Sequence, residues 1–453
     1  MSNPGDADST PISSVRQLAE QIAEGCKPRE QFRIGTEHEK FGFRLSDLTP
    51  PPYQPSGIKA LLESMSVDGW SPILDHGQPI GLKRGNASVS LEPAGQLELS
   101  GGLTETLHQT RDEFDGHFAQ VRPGAMALGL GFAPLGFHPL ATREQMPWMP
   151  KGRYAIMRRY MPRVGSLGLD MMTRTCTVQV NLDYESEADM ARKLRVCLAL
   201  QPLATALFAN SPFTEGRPNG YQSYRAHVWT DTDKARSGMP EAFFDDGFGF
   251  EQYVEWLLDV PMYFVYRNGH YIDLAGRSFR SFMRGGFADS ETGPATIGDF
   301  MDHMTTAFTD VRIKRYLEMR GADAGRPDMM LAQSALWVGL LYDQAALTAV
   351  DALVRRWPWT AYRDLRQAVP RGGLTVPWQG GTLRDLAKEV VAISRDGLRA
   401  RRRIDGLGQD ESAYLAPLEQ IAAGGPTQSD HWLGRFHRVW EGNAGRIFSE
   451  AAI

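Results

Sequence analysis

Four stretches of the chain alternate apolar and polar residues with a period of two, the repeat of a half-buried β-strand. In residues 33–43, Glu37 and Glu39 share one face and His38 takes the other, as a buried hydrogen-bonding residue rather than a ligand. In residues 88–100, Val89, Leu91, Leu97 and Leu99 alternate with Glu92, Gln96 and Glu98, and Pro93 with Gly95 predicts a turn or bulge between the two halves. In residues 175–183, Val178, Val180 and Leu182 alternate with Thr177, Gln179, Asn181 and Asp183. In residues 311–320, Val311, Ile313, Leu317 and Met319 alternate with Arg312, Lys314, Tyr316, Glu318 and Arg320. Each stretch has a core face and a polar face, and an antiparallel sheet curled over its polar face would gather these groups.

Between the strands, helical spacing predicts helices over residues 14–23, 58–65, 186–209 and 250–258, the last stopped before Pro261. Another covers residues 103–128, with Thr104 as its N-cap. Residues 1–13 read as disordered, and residues 331–453 as helices packed on the sheet. The organisation is thus an N-terminal extension with a short helix (1–30), a sheet with helices that carries the chemistry (31–330) and a helical part of the same domain (331–453). Residues 285–298, rich in Gly, Ser, Thr and Pro, are the candidate mobile loop over the site. Gly129-Leu130-Gly131 is followed by Pro134 and fails the dinucleotide fingerprint, so it reads as a strand end. No strand–helix rhythm of a doubly wound sheet appears.

Composition narrows the function. The chain has 453 residues, 42% hydrophobic and 23% charged, and a net charge of −5. That balance is globular and argues against a general nucleic-acid surface. The run at Arg399 and 401–403 reads as a solvated helix face. Three cysteines, Cys26, Cys176 and Cys197, form no metal spacing and fit free thiols in a reducing compartment. With no export, transit or spanning segment apparent, the expected location is the cytoplasm, with no membrane partner.

Two carboxylates on one strand face repel each other unless a cation lies between them. Oxygen donors in four segments suit Mg²⁺ or Mn²⁺, and such ions commonly complete their shell with phosphate oxygens. Arginine beside them fits a phosphoryl group in transfer. No Walker-type loop is present, so metals and side chains would have to hold the nucleotide. An ordinary half-exposed sheet explains any one segment; four together point to a metal–nucleotide site.

The strings Arg33-Ile34-Gly35-Thr36-Glu37-His38-Glu39-Lys40-Phe41-Gly42-Phe43, Leu91-Glu92-Pro93-Ala94-Gly95-Gln96-Leu97-Glu98-Leu99 and Arg315-Tyr316-Leu317-Glu318-Met319-Arg320-Gly321 resemble the plant-type glutamate–cysteine ligases. So do Met149-Pro150-Lys151-Gly152-Arg153-Tyr154, residues 164–172, 174–182 and 210–216, and Trp229-Thr230-Asp231-Thr232-Asp233-Lys234. The resemblance implies an α+β, glutamine-synthetase-like fold: a curved, mainly antiparallel sheet forming a funnel, surrounded by helices. It implies ATP-dependent, ADP-forming ligation of glutamate to cysteine through a γ-glutamyl phosphate, the first step of glutathione synthesis.

By the same resemblance, Glu37, Glu39, Glu92, Glu98 and Glu318 become Mg²⁺ ligands, with Gln179 completing a shell. Glu37, Glu318 and Arg320 carry catalysis, Arg320 as the phosphoryl contact. Lys151, Arg153, Arg225 and Arg236 become candidates for nucleotide or substrate carboxylates, and Tyr154 and Tyr263 for the amino-acid pockets. The partners are then glutamate, cysteine and ATP, and the protein a monomer or weak homodimer. Two alternatives stay open: a ligase of the same fold with a different amine, and a nucleotide-binding sensor without turnover. Plant members carry cysteines where this chain has Arg111, Leu274 and Leu331, so their disulfide switch is expected to be missing here.

Overall fold

The computed structural model describes residues 8–287 and 291–453. A nine-stranded antiparallel sheet organises it. Its strands are β1 (Ile34–Arg44), β2 (Ser71–Asp75), β3 (Gln78–Arg84), β4 (Ala87–Leu91), β5 (Leu97–Ser100), β6 (Leu130–Ala133), β7 (Thr177–Leu182) and a hairpin of Val311–Ile313 with Leu317–Asp323. The hairpin lies at one edge, followed by β7, β1, β5, β4, β3 and β2; β6 pairs with the far end of β1. The central strand β1 is buried along nearly all its length.

The apolar face of the sheet, with Val89, Leu97, Leu99, Val178, Val180, Leu317 and Met319, belongs to the main core. Helices Leu107–Ala127, Glu187–Leu207 and Pro327–Leu341 pack against it. The contact includes a polar pair, Thr36 Oγ1 and Ser334 Oγ, 2.8 Å apart. His38 is fully buried there, and its Nδ1 is 3.0 Å from Lys40 Nζ, which also meets His117 Nε2 at 3.0 Å. Burial without a carboxylate partner pushes the Lys40 ammonium down to about 7.

Several local expectations change. The helix read from residue 103 begins at Leu107, because Thr106 caps it in a reciprocal capping box with Gln109. Thr104 is occupied elsewhere: its N–H and hydroxyl both donate to Ile34 O, tying it to β1. Residues 311–320 are a hairpin rather than one strand. Lys314, Arg315 and Tyr316 separate its arms, and Arg312 faces Glu318 across it. In the described part of residues 285–298, Ala295 O accepts from Ile12 N–H, and the segment runs into the Ile297–Met304 helix. Residues 288–290 lie outside the described residues, as do residues 1–7 of the stretch read as disordered. Among the described residues, no helix is long and apolar enough to cross a membrane.

Candidate active site

Register brings the polar residues of the four segments to one side. Glu37 lies opposite Gln179, Glu39 opposite Glu98, and Glu318 opposite Asn181. The turn between β4 and β5 passes through Gly95, whose φ of 85° is open to glycine at little cost. It sets Glu92 and Gln96 at the rim of the same face. The result is a cavity of about 140 Å³ with Glu37, Glu39, Glu92 and Glu98 on one wall. Lys151, Arg153, Tyr154, Gln179, Arg225, Arg312 and Arg320 also line it.

Glu39 and Glu98 are poorly compensated. Glu39 accepts one backbone hydrogen bond, from Thr177 N–H at 3.0 Å, and Asn181 Nδ2 donates to Glu37 at 2.9 Å. Glu98 accepts from the hydroxyls of Ser90 (3.2 Å) and Ser100 (3.4 Å). Burial, then the neighbouring Glu37 and Glu92, pushes the Glu98 carboxyl up to about 8. Burial, then Glu92 and Glu98, holds Glu39 well above the carboxylate range.

Glu318 sits among cations instead. Its carboxylate accepts from Arg312 Nε (2.6 Å), Arg320 Nη1 (2.8 Å) and Lys314 Nζ (3.0 Å). Burial opposes ionisation there, but Arg312, Lys314 and Arg320 prevail and hold it well below the usual range. Glu318 is completely shielded from solvent and does not line the cavity. Both of its oxygens are engaged by arginine and lysine in this arrangement. What it does hold is Arg320, whose Nη1 also donates to Gln179 Oε1 at 2.5 Å.

Beside Glu92, Lys151 Nζ and Tyr154 OH both donate to Leu91 O, at 2.7 and 3.0 Å. Burial lowers the Lys151 ammonium from its ordinary value. Arg153 stacks on Phe264, and Arg225 Nη2 donates to Arg320 O at 2.9 Å.

Two expected contacts lie elsewhere. Arg236 pairs with Asp233 at 2.6 Å, donates to Thr306 and Pro261 O, and stacks 3.8 Å above the Tyr263 ring. Both side chains are fully buried and lie outside the cavity lining. Arg312, Gln96, Thr177 and Trp229 also line the cavity, the first three from the polar faces of their strands but with no role assigned from sequence. For Arg312 the signal existed, since it lies on the polar side of its alternation; Trp229 had none.

Among the described residues, no three His, Cys, Asp or Glu side chains are gathered as a ready metal cage. The donor set nevertheless fits a hard cation that keeps much of its shell for phosphate and water, because Mg²⁺ usually takes only one or two protein carboxylates.

A family model described as glutamate–cysteine ligase family 2 matches residues 33–450. This chain belongs to that family. The ligase is 49% identical over 434 residues to glutamate–cysteine ligase B, chloroplastic, of Oryza sativa subsp. japonica, covering 96% of this chain and 86% of the rice protein. It is 49% identical over 436 residues to the chloroplastic enzyme of Medicago truncatula, covering 96% and 84%. A solved glutamate–cysteine ligase from Francisella tularensis in complex with AMP shares the fold, with a TM-score of 0.57 at 12% identity over 93% of this chain and 87% of that one. The cytoplasmic location expected from sequence is overturned by these relatives, which are chloroplastic enzymes.

Proposed function

We propose that the ligase joins the γ-carboxylate of glutamate to the amine of cysteine with ATP as co-substrate, the first step of glutathione synthesis. Family membership supports the reaction, and one observation supports the chemistry: buried carboxylates, with Glu39 and Glu98 under-compensated, line one cavity together with a cluster of arginines. Such a cavity repels ATP and glutamate on its acidic side unless cations intervene.

A carboxylate cannot be displaced by an amine directly, because its leaving group is hydroxide-like. Transfer of the ATP γ-phosphoryl group to the glutamate γ-carboxylate gives an acyl phosphate and ADP. The cysteine amine then attacks the acyl carbon, loses a proton, and inorganic phosphate leaves with one carboxylate oxygen. Glu37, Glu39, Glu92 and Glu98, with Gln179 beside them, would hold Mg²⁺ or Mn²⁺. When bound, the ion offsets the charge of the phosphates and the attacking carboxylate. Arg320 and Arg312 face the cavity from the Glu318 anchor and stabilise charge on the phosphoryl oxygens. Lys151, Arg153 and Arg225 supply the positive charge that holds substrate carboxylates or nucleotide. Tyr154 braces Lys151 through their shared acceptor, Leu91 O.

The test is ADP formation by the purified ligase. It should require glutamate, cysteine and a divalent cation together. Equal turnover with a different amine would point to another ligase of the same fold, and ATP binding without turnover to a sensor. AMP and pyrophosphate as products would exclude the acyl-phosphate route.

A further inference from the structure

Arg320 stands at a break in the sheet. The pairing of its strand with β7 shifts between Met319 and Ala322, so Arg320 and Gly321 form a bulge outside the regular ladder. Bulges re-aim side chains, and their backbone groups need partners from elsewhere. Here the Arg320 N–H donates to Asp310 O at 3.1 Å, and the Gly321 N–H to Gln201 Oε1 at 2.8 Å. A side chain at position 321 would put its Cβ 2.1 Å from that same Gln201 oxygen, so Gln201 would have to leave the Gly321 N–H to make room.

Asp310 is itself clamped. Arg366, on the Trp359–Gly372 helix, donates from Nε (2.5 Å) and Nη2 (2.9 Å) to its two carboxylate oxygens. The side chains retain only 17% and 14% of their accessibility, which protects the pair from full solvent screening. The same helix reaches a second cavity arginine. Pro370 O accepts from the N–H groups of Gln222 (2.8 Å) and Ser223 (3.0 Å), and Ser223 caps the short helix that carries Arg225.

We propose that Arg366 is a positioning residue for this reaction: through Asp310 it fixes the bulge that aims Arg320 into the cavity. The proposal rests on the reading of Arg320 as the phosphoryl contact. A bidentate guanidinium clamp sets orientation as well as attraction. Its loss leaves Arg320 bonded to Glu318 and Gln179 but on a less firmly fixed bulge, and a displacement of about 1 Å at such a group can cost about a hundredfold in rate.

The experiment is a double-mutant cycle on the full chain with Arg366→Met, Arg320→Met and the double variant, with Arg366→Lys beside them. Arg366→Met should lower kcat by about ten- to a hundredfold, with KM for ATP and for glutamate within about twofold and an unchanged circular-dichroism spectrum. In the Arg320→Met background it should remove nothing further. Arg366→Lys should recover part of the rate, because a point charge restores attraction but not the fork. Near-normal kcat in Arg366→Met, or losses that multiply in the double variant, would overturn the proposal. If Arg320→Met alone keeps wild-type kcat, the reading of Arg320 fails first and the proposal falls with it, a result readable from that single variant.

Discussion

Glu98→Gln separates an acid row built for a cation from one that merely packs. Glu98 is 4% exposed and accepts from two hydroxyls, and burial with the neighbouring Glu37 and Glu92 pushes its carboxyl up to about 8 from the ordinary 4.5. The folded state therefore holds a proton that the unfolded chain releases at lower pH. Stability in the absence of metal should fall as pH rises through the window from about 4.5 to about 8, and reach its floor above it. The full displacement corresponds to roughly 5 kcal/mol as a ceiling. Relaxation and water entry reduce that to a few kcal/mol. Glutamine keeps the shape and cannot ionise, so in chelator the variant should exceed wild type by about 2–3 kcal/mol near pH 8 and match it near pH 5. Glu39, raised for the same reason, leaves the variant some residual slope. Urea unfolding with and without millimolar Mg²⁺ measures this, and Mg²⁺ should stabilise wild type more than the variant. Identical pH dependence of the two proteins in chelator, or equal stabilisation by Mg²⁺, would refute the reasoning.

Other outcomes follow from the same geometry. Glu318→Gln should lower kcat by about a hundredfold or more by releasing Arg320 and Arg312, while the Mg²⁺ concentration for half-maximal rate stays that of wild type; a raised Mg²⁺ requirement would place Glu318 in the metal set. The same change leaves three buried cations short of their anion and should cost about 3–5 kcal/mol in urea unfolding. Arg320→Lys should also lose most of its turnover, since one ammonium cannot serve both Glu318 and a phosphoryl group; preserved kcat in steady-state assays would reject the contact. Activity should be the same under reducing and mildly oxidising conditions: Cys176 and Cys197 are buried free thiols pushed up by burial, and Arg111 donates to Tyr414 where the plant members carry a cysteine. A thiol-reversible loss with an intramolecular disulfide in mass spectrometry would contradict this.

The face of each strand was legible because period-two alternation is local. Glu37 with Glu39, and Glu98 beyond its turn, could be assigned to one side from neighbours in sequence alone. Register was not legible: nothing in the sequence sets Glu39 against Glu98 rather than two residues away. The hairpin within residues 311–320 was missed because Ile313 and Leu317 are four apart, which preserves the alternation across the turn. Glu318 looked like the other acids, and its different surroundings arise only when Arg312 is folded back against it. Arg236 and Tyr263 belong to matching motifs, and Asp233, three residues away, together with Thr306, 70 residues away, holds that arginine in the interior.

The central claim is that glutamate is activated as an acyl phosphate. Glutamate carrying isotopically heavy oxygen in its γ-carboxylate, turned over with ATP, cysteine and Mg²⁺, tests it directly by mass spectrometry of the products. The account predicts one heavy oxygen in each inorganic phosphate released, with ADP formed in equal amount. Phosphate free of the label, or label appearing in AMP, would contradict it.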